Sequence, residues 1–325
     1  MYSTYVKAFA LSGLDAAHTQ GAAVAYMMND LHDEGAVLDY PMGGMGSLID
    51  TLVSGLKKND GELRVNSRVD KFILSGEKKP ECEGVVLEDG TIIRARKGVV
   101  SNVPLWNMSR ILDESVKLGE HSKVVVDTVN EIQEEAENFQ MTGSFMHLHL
   151  GIPSDGLGEI ECHYSVLNMD KDITAKQNLV IISIPTVFDP SLAPEGYHIV
   201  HAYTAASEDF EEWERFLEDE RGSDTTKIGN RPSTGKAQQY GKMEGYDELK
   251  DIRAEALWKA IEQIIPDIRD RAEAEGAIKM VGTPLTHRRY NMRHRKLNCS
   301  STRILNVYSY RFFTFQAELM DPHLQ

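Results

Sequence analysis

Apolar positions along the chain follow two rhythms, short β-branched or aromatic runs and longer stretches with helical spacing. Residues 22–31 read as a helix of small and apolar side chains. Tyr40-Pro41-Met42-Gly43-Gly44-Met45-Gly46 then leads into Leu48, Ile49, Leu52, Val53 and Leu56, spaced as one apolar face of a buried helix. Ser47 with Asp50 three residues on has the form of a capping box, and Asn59-Asp60-Gly61 is a stop. Residues 62–65 and 69–74 read as strands. Residues 84–88 pass through Asp89-Gly90 into 91–95, the strongest short-range hairpin signal. Residues 98–102 predict a short buried strand ended by Pro104, and 121–138 a polar helix.

Four more runs, 145–150, 163–167, 179–184 and 197–204, are separated by Pro, Gly and Asp at a spacing that predicts an antiparallel sheet rather than βαβ units. Helices are expected over 208–218 and 247–265, the second with Leu249, Ile252, Ala256, Ala260 and Ile264 as its buried stripe. Residues 220–245 read as an exposed insertion rich in Gly, Ser, Thr, Lys and Gln. A strand-like 278–281 precedes the basic, aromatic-containing stretch 283–295, either a solvated loop or a patch for an anionic cofactor or lipid headgroup. Residues 296–325 carry no clear cap or turn logic. The fold class is α+β or α/β, divided as 1–60, 61–112, 113–295 and the tail.

Composition narrows the function. The 325 residues allow about two domains. The 35 Lys and Arg against 50 Asp and Glu leave a net charge of −15, which opposes wholesale nucleic-acid binding. Only Cys82, Cys162 and Cys299 are present, with no C-x-x-C pair, so a secreted disulfide framework is not expected. No apolar run of membrane-spanning length occurs.

Gly43-Gly44-Met45-Gly46 departs from G-x-G-x-x-G, because Ile49 stands three after Gly46 and Tyr40-Pro41, not a strand, precedes it. A tight turn entering a helix explains it better than a phosphate loop. His147 and His149 alternate on one strand and so share a face, while His163, His198 and His201 lie on others. Spacing alone shows no convergence of the three or four ligands that zinc needs, and neither H-E-x-x-H nor a Cys pair is present, so no metal is expected. No G-x-S-x-G elbow or Cys–His signature supports a hydrolase.

Several segments together resemble one family. Tyr40-Pro41-x-Gly43-Gly44-x-Gly46-x-Leu48, Leu63-Arg64-Val65-Asn66-x-x-Val69, the hairpin Gly84-Val85-x-Leu87-x-Asp89-Gly90 and Val99-Val100-Ser101-Asn102 resemble the middle of phytoene-desaturase-type flavoproteins. Phe145-Met146-His147-Leu148-His149-Leu150-Gly151-Ile152 is similar to the carotenoid cis–trans isomerase, or prolycopene isomerase-like, branch. So are Ile184-Pro185-Thr186-x-x-Asp189-Pro190-Ser191-Leu192-Ala193-Pro194-x-Gly196 and Gly282-Thr283-Pro284-Leu285-Thr286-His287. The similarity covers residues 21–295.

The resemblance implies an FAD-dependent, amine-oxidase-like (glutathione-reductase-type) scaffold whose chain leaves and re-enters the cofactor part. Val69 would lie against the adenine, with Ser101 and Asn102 on the FAD side. The strands over 145–204 and the helices over 21–31 and 247–265 would build a tunnel for a carotenoid or other polyene. His147, His149, Thr286 and His287 are its polar candidates, and no catalytic residue is assigned. The implied reaction is cis–trans isomerisation of a poly-cis carotene such as prolycopene through reduced flavin, with desaturase-type oxidation or a non-catalytic binding role as alternatives. A plastid setting and peripheral membrane contact follow from the same resemblance. The N-terminal Rossmann βαβ with its G-x-G-x-x-G and the C-terminal FAD segment have no counterpart in the sequence, so the chain is expected to be an incomplete member that binds FAD weakly or not at all.

Overall fold

The computed structural model describes residue 25 and residues 40–138, 143–171, 175–204, 208–216 and 243–286. Apart from Ala25, the helix expected over 22–31 lies outside the described residues, as do 220–242 of the insertion, the basic stretch beyond residue 286 and the tail. The chain divides into two compact units, one holding residues 62–138 and the other residues 40–61 with 143–286.

The larger unit begins with α1 (Met45–Lys58), entered by a turn in which the Gly44 N–H donates to Pro41 O at 2.8 Å. Gly43 and Gly44 have φ of 78° and 76°, a left-handed conformation that glycine adopts without steric cost. Gly44 therefore precedes the helix, and Ser47 lies inside the first turn with its hydroxyl donating to Gly44 O at 2.7 Å. The capping box expected at Ser47 and Asp50 does not form. The expected stop holds: Asn59 closes the helix and its side-chain amide donates to Gly55 O. The apolar face was expected to be buried, yet no residue of α1 is buried and Ile49 and Leu52 are 60% and 70% exposed. Periodicity locates a stripe, but only a facing surface can bury it.

In the smaller unit β1 (Val69–Ser75), β2 (Glu81–Leu87) and β3 (Ile92–Arg94) form an antiparallel sheet in sequence order. The Asp89-Gly90 turn is present: Gly90 N–H donates to Leu87 O and the Asp89 carboxylate accepts from Thr91 N–H. Residues 62–65 are not a strand, and Leu63 and Val65 are exposed. The buried strand expected over 98–102 is likewise absent. Those residues are irregular and Val100 is 79% exposed, because no described strand offers them a ladder partner. Directly after Pro104 comes α2 (Leu105–Lys117), which the apolar pattern did not reveal. Its buried Ser115 accepts from Phe72 N–H and donates to Ile111 O, fastening the helix to β1. The expected polar helix is α3 (Lys123–Asn138), burying Val125, Val129, Ile132 and Ala136 at helical spacing.

The larger unit continues with β4 (His147–Pro153), β5 (His163–Leu167), β6 (Leu179–Ser183) and β7 (Tyr197–Thr204). Then follow α4 (Glu211–Glu214), α5 (Tyr246–Glu262), α6 (Ile268–Ala272) and β8 (Ile278–Gly282). The strands make one five-stranded sheet, β5-β6-β7-β4-β8, with every pairing antiparallel. That is the expected antiparallel arrangement, and the architecture is α+β.

Along β4 burial alternates strictly, with Leu148, Leu150 and Ile152 inside. They join Ile182, Val200, Ala202, Trp213, Leu257, Ile261, Ile265 and Ile268 in one core. The stripe expected on α5 holds in part: Ala260 is buried and Leu249 and Ile264 pack against the core, but the buried face is turned toward Tyr246, Ala254, Leu257 and Ile261, and Ile252 is exposed. Apolar residues occur on more than one side of this helix, so spacing alone left its phase open. Within this packed layer, Glu208 accepts from Trp213 Nε1 at 3.0 Å and pairs with Arg253, which also holds Glu212.

Candidate functional site

The strand period of two gives the five-stranded sheet a second face, and register decides what meets there. His149 stands opposite His201, and His147 opposite Tyr203. The row through His149 continues on both sides: His201 faces Ser183, Ser183 faces His163, and His149 faces Met280. One line of side chains thus crosses all five strands as His163, Ser183, His201, His149 and Met280.

The rings lie nearly parallel. His149 and His201 stack at 4.2 Å between centroids with 4° between planes, and His147 lies 5.2 Å from His201 at 8°. His147 Nδ1 and His201 Nε2 share a hydrogen bond of 2.9 Å. Tyr203 stacks on His201 at 5.1 Å, and Phe145 tilts against both His147 and Tyr203. Further along the row the Tyr40 ring stacks on His163 at 5.5 Å. A potential ligand atom from each of His147, His149 and His201 lies within 4.8 Å of those of the other two.

Electrostatically this face sheds charge. Burial, and then repulsion from a protonated His149, pushes His201 down to about 4. Burial also lowers His149, and burial raises the Tyr203 phenol with a smaller contribution from Tyr40. At neutral pH His149, His201 and Tyr203 are therefore uncharged, half-buried rings. Such a surface can take the flat face of a conjugated hydrocarbon, and neutral imidazoles also offer lone pairs to a metal.

The other candidate residues lie elsewhere. Thr286 closes the turn after β8, its hydroxyl accepting from Thr283 N–H and its own N–H donating to Thr283 O. His287 falls outside the described residues. His198 points to the opposite side of β7 from His201 and bonds Thr186 Oγ1 at 2.9 Å. Val69 opens β1 half-buried, whereas Ser101 and Asn102 are exposed in irregular chain. Sequence reading did not place His201 with the other two histidines and missed Tyr203 and Tyr40. The available signal was that His201 and Tyr203 alternate on β7 as His147 and His149 do on β4.

The glycine turn bears on a dinucleotide. Its Gly43 N–H donates to Asp189 Oδ2 at 2.7 Å, and Asp189 Oδ1 takes the Ser191 N–H and hydroxyl. The Ser191 hydroxyl above all, then the Gly43 N–H, holds the Asp189 carboxyl below its usual range, so a carboxylate already occupies the turn. A pyrophosphate would meet that negative charge. This turn therefore does not fit an FAD pyrophosphate, and it forms the tight turn expected ahead of the helix.

No family model matches the chain. It is 29% identical over 290 residues to the prolycopene isomerase, chloroplastic, of Daucus carota, an alignment covering 87% of this chain and 39% of that protein. It is 28% identical over 293 residues to the prolycopene isomerase, chloroplastic, of Arabidopsis thaliana, covering 88% of this chain and 41% of that one. The chain is similar to the prolycopene isomerases. A more distant likeness, 21% over 211 residues, is to pyridine nucleotide-disulfide oxidoreductase domain-containing protein 2 of Mus musculus, covering 60% of this chain and 36% of that protein. The carotenoid isomerase resemblance read from the motifs thus stands, and the chain spans about two fifths of the length of those isomerases.

Proposed function

We propose that this chain carries the polyene-holding part of an FAD-dependent, carotenoid isomerase-like oxidoreductase of the amine-oxidase-like type, with a poly-cis carotene as substrate. The observation that carries this is the stack of His149, His201 and Tyr203, uncharged at neutral pH, on the far face of the five-stranded sheet, in a chain similar to the prolycopene isomerases. A carotene offers no hydrogen-bonding groups, so its site must present apolar or ring surface without fixed charge. His149, His201 and Tyr203 meet that condition at neutral pH, and Phe145 and Tyr40 extend the ring surface. In this reading the chain binds and orients the polyene, and the strands fix the rings so that little side-chain freedom is lost on binding.

The Asp189-filled turn favours a second, narrower reading in which the chain by itself binds a polyene without converting it. A plastid setting is supported by the relatives named chloroplastic. Peripheral membrane contact is supported by the exposed stripe Met45, Ile49 and Leu52 on α1, while no helix among the described residues is long and apolar enough to cross a membrane.

The test is to present poly-cis carotene in mixed micelles to the purified chain and record the carotene absorption bands and the isomer ratio, with and without FAD and reductant. Binding is expected as a red shift of the bands that weakens in Tyr203→Ala, and conversion only where FAD is retained. A spectrum unchanged by the protein would overturn the polyene reading. Conversion with stoichiometric bound flavin would overturn the narrower one.

A further inference from the structure

The same register that aligns the rings also assembles a ligand set. His147 and His149 project from one face of β4 at positions i and i+2, and His201 stands on the neighbouring strand directly opposite His149. Two alternate ligands on one strand and a third from its partner need no loop, because pleat and ladder fix all the Cα positions. His147 Nδ1 and His201 Nε2 are already 2.9 Å apart, and one ligand atom from each of the three imidazoles falls within a 4.8 Å group. Metal–nitrogen bonds of about 2.0–2.1 Å bring tetrahedral ligand atoms to within about 3.5 Å of one another, so rotation of the stacked rings about their side-chain torsions completes the set.

We propose that His147, His149 and His201 form a site for a divalent transition ion of the zinc class, with a fourth position left to water or another small ligand. Three observations select this chemistry. The donors are nitrogens only, with no carboxylate among them, which suits zinc, cobalt, nickel or copper and disfavours magnesium and calcium. The residues are half-buried rather than sealed, so a hydrated ion reaches them. The set has three protein ligands, the number found in zinc sites that keep one position open. The site rests on β4 and β7 alone and does not depend on the polyene reading; a bound ion would put charge on the face that reading needs uncharged, so ion and polyene would compete for it.

The test uses the full chain stripped with a chelator and titrated with cobalt(II), whose visible bands report four- or five-coordinate nitrogen ligation. One equivalent is expected to bind, to be displaced by zinc(II) and to be unaffected by excess magnesium(II). His149→Ala and His201→Ala should each weaken binding at least tenfold, while His121→Ala, in the other unit, leaves it unchanged. Circular dichroism and urea unfolding of each variant separate lost ligation from lost folding. Failure of the folded wild-type chain to take up one equivalent would sink the site. So would full-strength binding in His149→Ala and His201→Ala, or an equal loss in His121→Ala. The carotene spectrum is recorded on the chelator-stripped chain, so the two readings fail separately.

Discussion

The two faces of the five-stranded sheet use the same strands for opposite ends. On one, Leu148, Leu150, Ile152, Val200 and Ala202 pack against Trp213, Leu257 and Ile261, and the ionisable group there, Glu208, keeps partners in Trp213 and Arg253. On the other, at intervening positions of the same β4 and β7, sit His147, His149, His201 and Tyr203, which stay half-exposed. The packed face spends its side chains on cohesion. The ring face keeps chemical groups that contribute little to cohesion, and burial keeps His149 and His201 neutral rather than pairing them with acids. A residue's place in the alternation, not its distance along the chain, decides which role it has.

The sharpest break of this contrast is a pair of neighbours on β4. Leu148→Ala opens a cavity in the core and is expected to cost about 2–5 kcal/mol. His149→Ala, one residue on and facing the other way, should change stability by no more than about 1 kcal/mol, the scale of a half-exposed side chain. Urea unfolding of both variants reads the difference, and equal losses would refute the division between faces.

Next in size is Glu208. Replacing it by Ala leaves the Trp213 N–H without its acceptor inside the core and removes one of the two carboxylates of Arg253, a loss of about 1–3 kcal/mol. The pH dependence has a definite sign. Burial raises the Glu208 carboxyl above its ordinary value, against the Trp213 hydrogen bond and the Arg253 charge. A carboxyl raised in the folded state favours folding most below its unfolded value, and that contribution is lost as pH rises through the folded one. The stability advantage of the wild type over Glu208→Ala should therefore be greater near pH 4 than near pH 7. A difference that grows with pH would mean that the Arg253 pairing dominates.

Much of the packed face was legible in the sequence, because β-branched runs with an alternating period leave few alternatives. The strands β4 to β7 fall where the apolar pattern puts them. Several other features depend on contacts between distant segments, which a local period does not encode. The stripe on α1 is real, but what would bury it is not written in its spacing. The phase of α5 was ambiguous because Ile252 and Leu257 are equally apolar, and only contact with Trp213 and the sheet selects Leu257. Residues 98–102 have strand composition without a partner, so composition misled. The Ser-bearing α2 was passed over, since its buried side includes Ser109 and Ser115, which hydrophobic counting ignores. The ring face was half legible. Alternation put His147 and His149 together, but His201 joins them only through register.

Tyr203 tests the ring face directly, with a smaller effect. An aromatic pair contributes about 0.5–1.5 kcal/mol beyond its buried area, so Tyr203→Leu should weaken carotene binding roughly two- to tenfold while Tyr203→Phe leaves it nearly unchanged. Micelle titrations followed by absorption measure both. A phenylalanine variant as weak as the leucine one would show that the hydroxyl, not the ring, carries the interaction.

The smallest effect concerns how the ring face is bounded. Tyr40 lies over His163 at one end of the row, and the chain after Tyr40 is held by the Gly43 N–H on Asp189. In Asp189→Asn a single carbonyl oxygen must serve three donors that two carboxylate oxygens now share, so the Gly43 amide should exchange with solvent faster while global stability hardly moves. The Asp189 carboxyl is held below its ordinary value, so its contribution is present above the unfolded value and fades as pH falls through the folded one. Protection of the Gly43 amide, corrected for intrinsic exchange, should accordingly drop on acidification in the wild type and stay level in Asp189→Asn. Hydrogen exchange followed by mass spectrometry across the Tyr40–Gly46 peptide distinguishes the two, and a wild-type turn indifferent to acid would mean that the glycine backbone alone, rather than the carboxylate, fixes this edge of the ring face.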